Sequence, residues 1–172
     1  MYKIYSLLLL TVFACVASLA QAAPASGLDK IAAYAGTWET EAAHFTTPYS
    51  KAGQETATLH NDSWRSGDFY VIHQIVNGKP APVLSVYTYD AQSDLYHVHS
   101  GPLSGDDPGP AGTLIIKGNV WTFPWEYQHA GKTTWFRVVN TWRSTAAIEF
   151  REEFSEDQVH WTLMAKGHEV KI

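Results

Sequence analysis

The chain has 172 residues and a formal net charge of −5 at pH 7, from 12 basic and 17 acidic side chains. The basic residues are scattered, so the sequence predicts neither a nucleic-acid footprint nor a patch for anionic membranes, and nucleic acid is not an expected partner. Phe, Trp and Tyr make up 13% of the residues, a density that favours strands around a thick aromatic core.

The N-terminus has the pattern of a secretory signal peptide. A basic start at Lys3 is followed by an uncharged, mainly apolar run over 4–20 and by the small-x-small site Ala20-Gln21-Ala22. A retained anchor is the alternative, but the run is marginal for the roughly 20 residues of a membrane span. We therefore expect a signal peptide over 1–22, a single mature domain over 23–172 without a membrane span, and a periplasmic or secreted location.

The single cysteine, Cys15, lies in the segment that we expect to be removed. A lipoprotein signal at this cysteine is disfavoured by the bulky Phe13 before it and by the long apolar tail after it. The mature chain would then contain no disulfide, no thiol nucleophile and no cysteine metal ligand. Its stability must come from packing.

The mature sequence has one short helical pattern and then turn signals about every ten residues. Leu28 and Ile31 share a face in the helical segment 28–34. The spacing after it is typical of a meander that closes into a barrel or sandwich. Ten strands are predicted, over 37–45, 54–64, 68–76, 82–89, 95–100, 113–117, 120–127, 133–142, 146–154 and 159–166.

Consecutive hairpins without a crossover leave two exposed edges unless the sheet closes on itself. The predicted fold is therefore all-β, an up-and-down antiparallel β-barrel of about ten strands with a short N-terminal helix, and a two-sheet sandwich is the alternative. The stretch 101–112 is rich in glycine and proline, which makes it the one long irregular connection and a candidate mobile lip or lid.

Tight turns fix which side chains share a face of the sheet. A turn at Gly118-Asn119 predicts an inward aromatic wall made of Leu114, Ile116, Trp121, Phe123, Trp125 and Tyr127. In the last hairpin, a short turn at 156–158 aligns a second inward set, which consists of Ile148, Phe150, Phe154, Trp161 and Leu163.

The facing of the histidine-bearing strands depends on the loop at 90–93. One face carries Phe69, Val71, His73, Ile75, Leu84, Val86, Leu95, His97 and His99, and the other carries Tyr70, Gln74, Ser85, Tyr87, Tyr89 and Tyr96. We expect the histidine face to be interior, because it holds more aliphatic residues while tyrosines tolerate a wetted exterior. A one-residue change in that loop would reverse half of the assignment.

Several side chains could carry chemistry. His97 and His99 point to one side of a strand, but a metal needs a third ligand such as His73, and hydrogen-bonded histidines without a metal are the favoured interpretation. Glu152 falls on the aromatic face, where burial would make it a possible acid or base, although a place at the barrel mouth is favoured. Arg137 turns inward after a five-residue turn, whereas a four-residue turn would place Asn140 and Trp142 inside instead.

The motifs Gly36-Thr37-Trp38, Tyr89-Asp90 with Tyr96, and 154–161 resemble those of calycin-type barrels, in particular the secreted bacterial domains of unknown function related to the nitrobindin-like group. This resemblance implies that Trp38 packs across the closed end of the barrel. Nitrobindin-like members bind haem through a histidine near the C-terminus, which implies haem as a possible cofactor and His160 or His168 as the comparable positions.

The favoured function is an exported barrel that binds a small, largely apolar molecule in an aromatic- and histidine-lined cavity. The alternatives are an isomerase, lyase or cyclase with a histidine acid or base in that cavity, a haem-binding barrel, and an interaction domain. No catalytic residue is assigned, and the oligomeric state is left open. The side chains predicted to contact the ligand are His73, His97, His99, Trp121, Phe123, Trp125 and Arg137.

Overall fold

The computed structural model describes residues 27–102 and 111–172. The predicted signal peptide and most of the 101–112 connection lie outside the described residues. Within them, no helix is long and apolar enough to cross a membrane. The described elements are the N-terminal 3-10 helix Gly27–Tyr34 and the strands β1 (Gly36–His44), β2 (Gly53–Ser66), β3 (Phe69–Val76), β4 (Lys79–Asp90), β5 (Leu95–Pro102), β6 (Ala111–Lys117), β7 (Val120–His129), β8 (Lys132–Ser144), β9 (Ala147–Ser155) and β10 (Thr162–Lys171).

The strands close into one antiparallel barrel. Each strand pairs with its neighbours in the sequence, and β1 also pairs with β10, from Trp38 opposite Lys171 to His44 opposite Ala165. Among the ten described strands, closure leaves no strand at an open edge, because β1 and β10 pair with each other. The predicted barrel is confirmed, and the two-sheet sandwich is excluded.

Tight turns set the register of the hairpins. Asn77 and Gly78 have φ angles of 50° and 73°, which suit the turn type that matches the twist of two antiparallel strands. The Asn77 side chain also accepts a hydrogen bond from the backbone N–H of Thr58, at 2.9 Å. The expected turn at Gly118-Asn119 is present, with Lys117 opposite Val120.

The last hairpin differs from the prediction. Ser155 Oγ accepts hydrogen bonds from the backbone N–H groups of Asp157 (3.2 Å) and Gln158 (2.8 Å), which stabilises a longer loop than a short turn at 156–158. Strand β10 therefore begins at Thr162 and runs to Lys171. Leu163 pairs with the outward Glu153, so the expected inward facing of Trp161 and Leu163 is wrong.

The hydrophobic core lies at the end of the barrel that the helix covers. Leu28, Ile31 and Tyr34 of the helix are buried, and Trp38 beside them has no exposed surface. The Trp38 Nε1–H donates to the Tyr34 carbonyl at 3.0 Å, which ties the first strand to the helix. We call this helix-covered end, with its rings, the closed end; its buried core is Leu28, Ile31, Tyr34, Trp38, Tyr70, Ile72, Tyr87, Tyr96, Val98, Leu114, Trp121 and Ile148.

The aromatic wall on β6 and β7 faces inward as predicted. Leu114 and Trp121 are buried, and Phe123 packs against the core. Towards the other end of β7, Trp125 and Tyr127 are about half exposed. The wall therefore runs from the closed end to the opposite rim, which we call the mouth.

The facing expected for the histidine side is wrong. Tyr70, Tyr87 and Tyr96 are buried, whereas His97 and His99 are exposed. Residues that were predicted to share a face do share one. The loop lies at 91–94, one residue later than expected, which moves each partner on β5 by two residues, and side chains two residues apart point to the same face. The tyrosines can turn inward because their hydroxyl groups find partners there, as when the Tyr96 hydroxyl donates to the Gly27 carbonyl at 2.7 Å.

Candidate functional site

The inside of the barrel contains two adjoining cavities. The one nearer the closed end has a volume of about 290 Å³, and the one towards the mouth has a volume of about 340 Å³. Both are lined by Leu59, Gln74, Asn140 and Glu169, so they form one lumen. Ligand sites are typically roughly 300–1,000 Å³, so each cavity lies close to the lower limit of that range.

A polar belt surrounds the lumen. Side chains on a strand alternate between its two faces, so each strand can contribute an inward polar group between apolar ones. The belt residues lie on five different strands, and each lines at least one of the cavities. We define the polar belt as Thr40 on β1, Asn61 on β2, Gln74 on β3, Asn140 on β8 and Glu169 on β10.

Part of the belt holds the helix in place. Asn61 Nδ2 donates to the Tyr34 carbonyl at 2.9 Å, and Gln74 Nε2 donates to Asn61 Oδ1 at 3.2 Å. Asn140 Nδ2 donates to the Tyr34 hydroxyl at 2.7 Å. The nitrogen ends of all three amides are therefore used within the protein.

Other atoms of the belt have no partner. The buried Asn140 Oδ1 and Thr40 Oγ1 form no hydrogen bond in the structure. The carboxylate of Glu169 likewise has no hydrogen bond or ion pair with the residues that the structure describes. Buried polar groups normally have partners, so these atoms mark a place where a ligand or ordered water is expected.

Burial raises the pKa values of three titratable side chains that line the lumen. It raises the pKa of the Glu169 carboxyl above its usual value of 4.5, because the charged form is poorly solvated there. Desolvation also raises the pKa of Tyr87 to about 12 and that of Tyr34 well above its usual value of 10.0. Both phenols therefore keep their protons near neutral pH.

One glycine makes room for an aromatic wall of the lumen. A Cβ atom built on Gly167 would clash with the Glu41 carbonyl oxygen and would lie 2.6 Å from Cζ of Phe150. Glycine at this position therefore lets the Phe150 ring lie against strand β10 and line the cavity towards the mouth. A larger residue would displace the ring.

The mouth carries its own aromatic cluster. Tyr49, from the loop between β1 and β2, packs with ring centres 5.0 Å from Phe136 and 4.9 Å from Phe154. The hydroxyl groups of Tyr49 and Thr134 are hydrogen bonded at 3.0 Å. This loop covers the β8–β9 side of the mouth, and Trp125 stacks on Phe136 from the neighbouring strand β7.

The three predicted histidines lie outside the lumen. His97 and His99 are exposed on β5, and His73 lies on the outer face of β3, where its buried Nε2 has no hydrogen-bond partner. Among the described residues, no group of three His, Cys, Asp or Glu side chains is placed to hold a metal ion. Any ligand contact by these histidines would be on the outer surface, and that role stays a prediction.

Arg137 also faces outward. The turn at Ala130-Gly131 pairs His129 with Lys132, a register that corresponds to the alternative with Asn140 and Trp142 inside. The Arg137 Nε donates to Glu153 at 2.6 Å, and its guanidinium lies 3.8 Å from the centre of the Trp161 ring. Glu153 is thus used on the outside, whereas the adjacent Glu152 lines the lumen, as their opposite facing predicts.

The histidines that correspond to a haem ligand do not reach the lumen. His160 lies in the loop before β10 and is hydrogen bonded through Nδ1 to Asp157 at 2.7 Å. His168 lies on the outer face of β10, 3.7 Å from Glu41. A haem inside the barrel could not be ligated by either side chain in this arrangement.

Most of the belt was missed by sequence reasoning. Glu169 lies beyond the predicted end of the last strand, in the alternating segment 166–171, which looks like a solvated tail. One available signal was closure itself, because a closed barrel needs β10 to match the full length of β1. Asn61 lies between His60 and Asp62, and Gln74 follows His73, so neither residue differed from a solvated polar position in the sequence.

Residues 27–102 and 111–172 form a ten-stranded antiparallel barrel that has one end covered by a helix and a polar belt inside. Among solved structures, the chain is similar to Rv2717c from M. tuberculosis, with a TM-score of 0.45 and 10% sequence identity over 86% of this chain and 98% of that one. No protein-family model matches the sequence. No curated protein matches it either.

Proposed function

We propose that the mature chain is an exported binding protein that holds a small molecule inside its barrel. The observation that carries the proposal is the lumen itself, an internal space at whose wall the buried Asn140 Oδ1 and Thr40 Oγ1 lack partners. A barrel that served only as a scaffold would gain stability by filling this space with apolar side chains. The persistence of unpaired polar atoms beside a cavity supports a binding role.

The lining indicates an amphipathic ligand. Leu59 and Ile72 supply apolar surface, and Phe123 supplies an aromatic face to the cavity nearer the closed end. Of the residues predicted to contact a ligand, Phe123 lines the lumen, Trp121 lies in the core behind it, and Trp125 lies at the mouth. A largely apolar body would contact this wall while a polar group meets the belt.

A histidine-based enzyme is a weaker proposal. Such a mechanism needs an imidazole within hydrogen-bond reach of the substrate. His97 and His99 lie outside, and the one histidine among the described lining residues is His44 at the mouth, 3.2 Å from Glu55. Binding without chemistry is therefore the function that this geometry supports best.

The binding proposal is tested by filling the lumen. Leu59 lines both cavities, so Leu59→Phe adds a ring inside the barrel, whereas Thr58→Phe adds the same ring on the outer face of the same strand. Protein purified from its exporting cells is analysed by native mass spectrometry, and a library of neutral, cationic and anionic fragments is screened by ligand-observed NMR.

We expect wild-type protein and Thr58→Phe to hold the same molecules and Leu59→Phe to lose them. The proposal would be overturned if wild-type protein carried no small molecule and bound no fragment, or if Leu59→Phe bound as well as wild type. The exported location is checked separately by N-terminal sequencing of the mature chain, which should begin at Ala23.

A further inference from the structure

Two unpartnered polar atoms of the lumen, Asn140 Oδ1 and Thr40 Oγ1, can accept hydrogen bonds, and the Thr40 hydroxyl can also donate one. The Tyr34 carbonyl can only accept, so Asn61 must present its nitrogen to it and its oxygen to Gln74. Asn140 uses its nitrogen on the Tyr34 hydroxyl, which leaves Oδ1 unpartnered, and this side chain is 92% buried, with a relative exposure of 8%. An occupant of the lumen therefore meets the Asn140 amide oxygen and the Glu169 carboxylate, which can only accept, and hydroxyl groups that can accept as well as donate.

The charged groups that line the lumen are almost all acidic. Glu152 and Glu169 line it, and Glu55 lies at the mouth beside His44. Within the described parts of the chain, neither cavity is lined by lysine or arginine. The remaining titratable groups that line it are the phenols of Tyr34 and Tyr87.

The inward-facing lysine of β10 lies against a ring at the closed end. Lys171 Nζ lies 5.3 Å from the centre of the Trp38 ring at the closed end, and it lines neither cavity. Glu169, one inward position earlier on β10, therefore has no counter-ion among the described residues. A buried carboxylate without a counter-ion is costly, and a cationic ligand would remove that cost.

On the basis of the proposed lumen site, we infer that the ligand is a small organic cation, specifically a primary amine on an apolar or aromatic body, bound by Glu169, Asn140 Oδ1 and Thr40 Oγ1. Thr40 lies opposite Glu169 in the pairing of β1 with β10, and Asn140 lines the same two cavities as Glu169. An ammonium group has three donors and no acceptor, which matches three acceptors.

Other charge classes fit this lining less well. An anion would meet Glu152 and Glu169 without a compensating cation. A metal ion needs several converging ligands, and no such group of side chains exists among the described residues. A quaternary ammonium carries no N–H donor, so it would leave Asn140 Oδ1 unpaired while gaining only contacts with rings such as Phe123 and Phe150.

Four related probes test the inference, namely benzylamine, benzyltrimethylammonium, benzyl alcohol and benzoate, titrated calorimetrically at pH 7 into the mature protein. The variants are Glu169→Gln, which removes the carboxylate, Leu59→Phe, which fills the lumen, and Glu39→Gln. Glu39 is exposed on the outer face of β1, so this last variant makes the same charge change outside the barrel. Circular dichroism establishes that each variant is folded.

We expect benzylamine to bind most tightly and benzoate most weakly. Glu169→Gln should weaken benzylamine by at least about tenfold while changing benzyl alcohol by less than about threefold, because a charge-assisted hydrogen bond is lost only with the amine. Leu59→Phe should abolish binding of all probes. Glu39→Gln should bind benzylamine as wild type does.

The outcomes separate this inference from the proposed function. If benzyl alcohol or benzoate binds more tightly than benzylamine and Leu59→Phe abolishes that binding, the lumen binds ligands but the inference of an amine is wrong. If benzyltrimethylammonium matches benzylamine, the hydrogen-bonding role of the belt is wrong. If no probe binds and no molecule is found in purified protein, the inference and the binding proposal both fail.

Discussion

The closed end and the polar belt occupy the same barrel interior but differ in packing and in the polar atoms that they leave unpaired. At the closed end, Trp38 and Tyr96 donate hydrogen bonds to helix carbonyls and have no exposed surface, although the buried Trp142 Nε1 beside them has no partner. In the belt, Asn140 Oδ1 and the Glu169 carboxylate have no partner among the described residues. The closed end therefore supplies stability, whereas the belt leaves acceptor oxygens available to a ligand or to ordered water.

The largest effect is expected at the closed end. Trp38→Ala should lower the free energy of unfolding by about 3–5 kcal/mol, because it removes a fully buried ring and leaves a cavity. Urea denaturation monitored by circular dichroism measures the change. The matched control is Trp64→Ala, whose ring is 47% exposed and whose loss should cost less than about 1 kcal/mol. Equal losses from the two substitutions would contradict the assignment of the core.

A smaller effect is expected from removing one hydrogen bond between the barrel and its helix. Tyr96→Phe should lower the free energy of unfolding by about 1–2 kcal/mol, since the Gly27 carbonyl loses its buried donor. Tyr127→Phe, at a residue that is 54% exposed, serves as the control and should be neutral within about 0.5 kcal/mol. Denaturation curves that show no difference between the two variants would argue against the helix being fixed by this bond.

The smallest effect, and one of opposite sign, is expected in the belt. Because the pKa of Glu169 is raised above 4.5 by burial, the folded state holds this proton more tightly than the unfolded state does. The resulting stability is fully present below pH 4.5 and is lost as the pH rises through the folded-state pKa. Glu169→Gln should therefore stabilise the empty protein near pH 7, on a scale set by about 1.4 kcal/mol per unit of pKa shift.

The measurement is thermal unfolding of wild type and Glu169→Gln between pH 4 and pH 8. The difference between the two proteins should be small at low pH and should grow as the pH rises. Glu39→Gln controls for the change in net charge, and it should follow wild type throughout. A Glu169→Gln variant that is less stable than wild type at neutral pH would show that the carboxylate has a partner in solution.

The fold was predictable because its determinants are local. Turns such as Asn77-Gly78 and Gly118-Asn119 set the register, and alternation along β7 then places Trp121 and Phe123 inside. Closure followed from the run of hairpins without a crossover. These features depend on neighbouring residues, so the sequence alone was sufficient for them.

The candidate site was much less predictable. On β3 to β5 both faces carry apolar atoms, and the choice of the tyrosine face depends on the distant helix backbone that receives the Tyr96 hydroxyl. The belt is a second such case, because inward polar residues such as Asn61 and Glu169 have the same pattern as solvated ones. Only the closed circle of strands brings them together.

The hydrogen bonds around Tyr34 connect the helix that covers the closed end to side chains that line the lumen. Asn61 and Asn140, which line the lumen, also hold the helix through the Tyr34 carbonyl and hydroxyl. We expect a molecule that binds these amides to stabilise the attachment of the helix by mass action, by an amount that grows with the logarithm of its concentration above Kd. We therefore expect the protection of the helix amides from hydrogen exchange to rise as more of the lumen sites are occupied.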